Sequence, residues 1–219
     1  IARKVFRKFN QQLNKANLMA RSGQIVDASF VEVPRQRNSR DDNKHIKEEG
    51  THPEEWSENK KSQKDVDARW TEKNKQKHFG YKNHISAEKK RKFIINYEVT
   101  SAEVHDSKPF FDLLGKPRKD NEPVWGDSAY RSEENEKKLG KKGFISKIHE
   151  KGYRGRPLTE RQKARNTIKS RIRARVEHIF GSIHWFKGNY LRCIGLARIT
   201  EAVGMINLAY NMKRYCRYA

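Results

Sequence analysis

The stretch GQIVDASFVEV, residues 23–33, limits the architecture more than any other part of the chain. Val, Ile and Phe fall on both parities, so it reads as a β-strand that is apolar on both faces. Such a strand belongs in a sheet with cover on either side. Asp27 lies in its middle. An unpaired charge there is costly, so Asp27 needs hydrogen bonds, a cation or a metal, or else caps a neighbouring turn.

The elements around this strand alternate. Residues 1–21 carry six basic residues and no acid, with Val5, Phe6, Phe9 and Leu13 at helical spacing, and predict a short basic amphipathic helix. Residues 34–77 are polar, charge-dense and almost free of aliphatics, and read as an insertion or mobile loop. KHFGYKNHISA (77–87) and KFIINYEVTSA (92–102) read as a hairpin. SKPFFDLLG (107–115) fits a short helix ended by Gly115, and EPVWGDSAY (122–130) a short strand stopping at Gly126-Asp127. A helix from Ser132 to Gly140, a strand over 143–148 and a Gly- and Arg-rich loop over 149–162 follow, with Thr159 placed to cap the next helix. That helix carries Ile168, Ile172, Val176, Ile179 and Ile183 as one stripe, and a last helix spans about 199–214. The order predicts a mixed α/β domain.

Charge then narrows the class of partner. Lys and Arg total 49 against 27 acids in 219 residues, a formal net charge of +22. A chain this basic meets a polyanion, because neutralising phosphates releases counterions. Residues 160–219 hold 13 Lys or Arg against three acids. Arg165, Lys169, Arg171, Arg173 and Arg175 are therefore candidates for holding a phosphate backbone rather than reading bases. No run approaches 18 apolar residues, so no membrane span is expected, and the N-terminal residues lack the apolar core of a signal peptide. Cys193 and Cys216 are too few for a disulfide framework and fit a reducing cytoplasm. The eight histidines lack the cysteines or paired helical spacing of a zinc site.

Three carboxylates stand out against this basic background. Asp127 ends a strand where ligand sites gather in α/β sheets, or simply occupies a turn after Gly126. Glu177 sits at the edge of the apolar stripe in RIRARVEHIFGSIHWF (171–186). Arg173 lies four residues earlier, at the spacing of a helical salt bridge that contributes about 0.2–0.5 kcal/mol. Taken together, two strand aspartates and a helical glutamate suit hard divalent cations, which prefer oxygen ligands. In two-metal phosphodiester chemistry the ions lie about 3.5–4 Å apart and act on the attacking and leaving oxygens.

Four blocks then resemble, in order, those of bacterial insertion-sequence transposases of the DDE class, in the large group named after insertion sequences four and five. They are GQIVDASFVEVPRQR, ARWTEKNKQKHFGYKNHI, VWGDSAYRSEENE and RARVEHIFGSIHWFKG. The resemblance runs from about residue 21 to the C-terminus. It implies a ribonuclease-H-like fold, a mixed sheet flanked by helices with the long charged insertion after the first strand, and a catalytic and metal-binding triad of Asp27, Asp127 and Glu177. It further implies two Mg²⁺ or Mn²⁺ ions, hydrolysis of a strand at the element end, and joining of the freed 3′-hydroxyl to target DNA. The partners implied are double-stranded element ends and target, with a homodimer assembled on DNA and a cytoplasmic, nucleoid-associated location. Residues 1–22 are expected to be the remnant of an N-terminal helical region, and 23–219 the catalytic domain. Members often carry a Tyr-Arg-Glu-Lys signature; Arg173 matches its arginine, while Ser170 and His184 stand at the tyrosine and lysine places, leaving Lys187 to contact DNA. Lys82 in GYKNH, Tyr130 and Arg131 are further candidate DNA contacts, with Lys82 alternatively pairing with a carboxylate. Trp185, Phe186 and Tyr190 either stack on an unpaired base or pack onto the sheet. Two other readings stay open: an inactive relative that only binds DNA, and a metal-dependent nuclease for RNA–DNA hybrids.

Overall fold

Strand β1 (Gln24–Glu32) occupies the interior position that its double-faced apolarity demands. The computed structural model describes residues 1–20, 22–73 and 75–218. Along one edge β1 pairs antiparallel with β3 (Gln76–Glu88), from Gln24 opposite Glu88 to Glu32 opposite Gly80. Along the other it pairs parallel with β5 (Glu122–Trp125), but only at Gln24–Val124 and Ile25–Trp125. Beyond Ile25, among the described residues, β1 pairs with no named strand on that edge and makes only a parallel bridge from Glu32 to Tyr190. β6 (Phe144–Ser146) extends the sheet in parallel outside β5. The 13-residue β3 is long enough to seat two strands on its far edge, β2 (Arg69–Lys73) and β4 (Ile94–Ser101).

The two faces of β1 enter two different cores, as strand alternation requires. Ile25 and Val31 pack in the larger one with Ile179, Phe180 and Ile183 of α7 (Glu177–Trp185) and Ile199 and Val203 of α8 (Leu196–Tyr215). Val26 enters a second core with Phe110 and Leu113 of α4 (Phe110–Leu113), Leu139 of α5 (Glu133–Lys141) and Phe144. Helix α1 (Ala2–Lys15) joins the larger core through Phe6, whose ring meets Tyr97 edge-on at 5.1 Å, while Val5 is exposed.

Two expectations fail on tertiary grounds. Residues 34–77 are not a loop. They form α2 (Arg40–Glu49), α3 (Glu58–Ser62) and β2, with a capping box between Ser39 and Asp42 and Gly50 closing α2 at φ +69°. The segment is polar because its helices expose most of their surface, burying little beyond Ile46 and Trp56. Its end is fastened by buried Asp65, which accepts from the Tyr81 hydroxyl (2.7 Å) and from the backbone N–H groups of Asp67, Ala68 and Gly195.

The stripe from Ile168 to Ile183 is also not one helix. α6 (Glu160–Arg173), capped by Thr159 as expected, ends at a turn over 174–176, and α7 begins at Glu177. The tighter i→i−3 bonds Arg175 N–H to Ile172 O (3.1 Å) and Val176 N–H to Arg173 O (2.9 Å) rotate the chain there. Ile168 consequently stands 61% exposed while Val176, Ile179 and Ile183 are buried. Among the described residues no helix is long and apolar enough to cross a membrane.

Candidate active site

Asp27 is brought beside Asp127 by the parallel register. Ile25 faces Trp125, so the residues two further along each chain emerge at the same level past the end of β5. Asp27 is 8% exposed. Its Oδ1 accepts from the Ala28 N–H at 2.9 Å and its Oδ2 from the Arg173 guanidinium at 2.6 Å. Burial pushes its carboxyl up to about 6 against the opposing pull of Arg173, and the charges of Asp127 and Glu177 push the same way as burial. Both of the other carboxylates therefore lie within electrostatic reach of Asp27. Asp127 caps the turn after β5, accepting from Ala129 N–H at 2.8 Å. Glu177 is the first residue of α7 and is exposed.

Arg173 corrects one expectation. It does not orient Glu177 from four residues away but reaches across the fold to Asp27. The turn at 174–176 destroys the i,i+4 alignment. Coulomb attraction is also larger toward a carboxylate removed from water than toward an exposed one. The Arg173 Nε, buried, has no partner among the described residues.

The donor set is three carboxylates carrying more negative charge than one arginine offsets, which fits hard divalent cations. The guanidinium stands at Asp27 Oδ2 as a substitute cation. Among the described residues no three His, Cys, Asp or Glu side chains lie at metal-ligand spacing, so the cage is not preassembled. His149, in the loop after β6, was not singled out by sequence. It feels the charges of Asp127 and Arg173, hydrogen-bonds Ser170 at 3.1 Å, and is held below its ordinary range by burial first, then by Arg173 and Lys169. The signal that could have found it is its place just past a strand's C-terminal end.

The candidate DNA contacts divide. Lys82 is three positions from Ile85, the partner of Asp27, so it projects from the opposite face of β3. It is 8% exposed and donates to Val104 O and pairs with Asp106, both at 2.8 Å. Tyr130 is buried in the second core. Neither presents a donor to the carboxylates. Arg131 lies 3.8 Å from Glu136, Arg165 grips Glu150 with two hydrogen bonds, and Lys169 donates to Ile148 O. Arg171, Arg175 and Lys187 are exposed. Trp185 is 80% exposed rather than packed on the sheet, Tyr190 is exposed, and Phe186 is packed against the larger core.

A mixed sheet with aspartates at the level where two parallel strands part, and a glutamate on a covering helix, defines a class of carboxylate-centred α/β domains. Comparison with known proteins makes the class specific. Residues 19–212 match the Transposase DDE domain family. The chain is 33% identical over 210 residues to the transposase for insertion sequence element IS1106 of Neisseria meningitidis serogroup B, covering 93% of this chain and 69% of that protein. It also resembles the piggyBac transposase in a cryo-EM structure of its synaptic complex with hairpin DNA. That likeness has a TM-score of 0.50 at 13% identity, over 87% of this chain and 46% of the other. The chain belongs to the DDE transposase domain family, in its insertion-sequence branch.

Proposed function

We propose that Asp27, Asp127 and Glu177 form the catalytic centre of a ribonuclease-H-like DNA transposase that cleaves and joins strands at the ends of an insertion sequence. One observation carries the reading: in a chain of net charge +22, a buried Asp27 at the end of the sheet lies within reach of the charges of Asp127 and Glu177. A strand order with β3, β1, β5 and β6 side by side and β4 on β3 supports the fold assignment. Asp27, Asp127 and Glu177 would hold two Mg²⁺ or Mn²⁺ ions, which supply activation of the attacking oxygen and charge neutralisation at the phosphate. Asp27 and Asp127 are fixed by backbone N–H donors and keep their positions, whereas exposed Glu177 is free to adjust. Arg173 holds Asp27 in place and offers its remaining donors toward a phosphate beside it. Arg171, Arg175 and Lys187 hold the backbone of element-end and target DNA. The active assembly is a homodimer on DNA in the bacterial cytoplasm, at the nucleoid.

Incubating the chain with labelled DNA from its own element ends and Mg²⁺ or Mn²⁺ tests the reading. Strand cleavage that disappears in Asp127→Asn is expected. Full activity in that variant would sink the assignment.

A further inference from the structure

Two depressions on the α7 side share a wall. One, of about 470 Å³, opens beside Glu177 and runs past His178 and Ser182 to Trp185 and Lys213. The other, of about 250 Å³, starts at the same His178, Ser182 and Lys213 and ends among Lys92, Arg214 and Arg217. The three shared residues place the second depression next to the first, on the side away from Glu177.

We propose that the second depression is a phosphate-binding subsite that takes the backbone of the DNA strand leaving Glu177; this rests on the transposase reading above. Four cations line the recess together with His178, Ser182 and Tyr210, and among the described residues no acid lines it. Among the described residues none of the four has a carboxylate within 4.0 Å. By contrast Arg165, Lys169, Lys137 and Lys138 elsewhere on the surface each face one. Burial, and then the charges of Arg214, Arg175 and Arg217, hold the Lys92 ammonium below its ordinary range. An anion relieves that repulsion, and a recess ringed by four cations suits a phosphodiester.

The recess is also built rather than incidental. Lys92 sits in the β3–β4 turn at φ +63°, a left-handed conformation that costs a non-glycine residue about 1–2 kcal/mol. Two groups from α8 pin that turn: the Tyr210 hydroxyl donates to Lys92 O at 2.8 Å, and the Arg214 guanidinium donates to Arg91 O through Nε at 3.0 Å and a second nitrogen at 2.6 Å. Lys213 and Arg217, both exposed, complete the ring; among the described residues neither side chain makes a hydrogen bond or ion pair, and the Lys213 ammonium lies 5.3 Å from the centre of the Phe186 ring. Nothing in residues 92, 213 and 217 stood out in the sequence, because the fold alone brings the hairpin turn to the end of α8.

The test measures binding of the full chain to a fluorescein-labelled duplex by anisotropy across a NaCl series without divalent metal. Lys213→Gln/Arg217→Gln is compared with Lys116→Gln/Lys119→Gln, an equal loss of charge at exposed sites before β5. The recess pair is expected to flatten the log–log salt slope by about 1.8, at about 0.9 per lost phosphate contact, and to weaken binding about tenfold at moderate salt, with the control pair near wild type. Equal slopes for the two pairs would overturn the subsite, whatever cleavage assays show. A slope change in the recess pair alone, with a wild-type chain that cuts no DNA at any Mg²⁺ or Mn²⁺ concentration, would uphold the subsite and overturn the transposase reading. Wild-type protein that binds no DNA would overturn both.

Discussion

Glu177 is exposed at the start of α7, where a carboxylate adds only about 0.3–1 kcal/mol through the helix dipole. Its substitution therefore separates chemistry from stability. Glu177→Gln is expected to leave the melting temperature within about 3 °C of wild type while lowering metal-dependent strand cleavage by at least about 10³-fold. A large drop in melting temperature would return Glu177 to a structural role. Arg173 behaves in the opposite way. Removing it strands a buried carboxylate, so Arg173→Met is expected to destabilise the metal-free chain by about 3 kcal/mol, and Asp27→Asn in the same chain to restore most of that. Added Mn²⁺ should narrow the gap between Arg173→Met and wild type in thermal melts, because a divalent cation answers the same charge. If Mn²⁺ left the gap unchanged, Asp27 would not be a metal ligand. Sequence spacing pointed to the correct arginine but to the wrong partner. An i,i+4 rule knows only the local helix, and the turn at 174–176 is set by how Val176 and Ile179 pack under the sheet.

At the level of elements, local signals were legible wherever the stabilising contacts are local. β1, the hairpin of β3 and β4, the end of β5 before Asp127, the Ser132 and Thr159 caps and the last helix all follow the pattern of their own residues. Residues 34–77 did not, because few of their side chains are apolar and what holds them is Asp65, a polar residue whose partners lie at Tyr81 and Gly195. The Ser39–Asp42 capping box was readable there and marks α2. Asp65→Ala leaves a buried hydroxyl and three backbone N–H groups without their acceptor. It is expected to cost about 3 kcal/mol, with amide exchange accelerated at the start of α8. Unchanged stability would show that Asp65 does not fasten the segment. The loop preceding α6 carries a pH-dependent tie of the same kind. Glu150 is pulled down to about 2, first by its hydrogen bond to Arg165 and, with burial opposing, by the charges of Lys169 and Arg165. Its folded value lies below the unfolded one, so the tie is intact above about pH 4.5 and is lost as pH falls toward 2. Acid titration should thus loosen α6 in wild type, and Glu150→Gln should remove that part of the pH dependence from amide exchange in residues 160–173.

For the whole molecule, a net charge of +22 on 219 residues sets self-repulsion against a scatter of exposed ion pairs. Pairs such as Lys137–Glu133, Lys138–Glu134 and Lys163–Glu160 are exposed, contribute little and are themselves screened by salt. Repulsion among 22 uncompensated charges, spread over a domain only a few Debye lengths wide at about 10 Å each in 0.1 M salt, is the larger effect. The two salt responses should accordingly run in opposite directions. Raising NaCl is expected to raise the melting temperature of the free chain while its affinity for DNA falls linearly on a log–log plot. DNA itself, binding the folded state alone, should raise the melting temperature most at low salt, so the two melting curves converge as NaCl increases. A free chain that melted lower with added salt would mean that its surface ion pairs outweigh its excess of charge, and that the cationic face is balanced internally rather than left open for a polyanion.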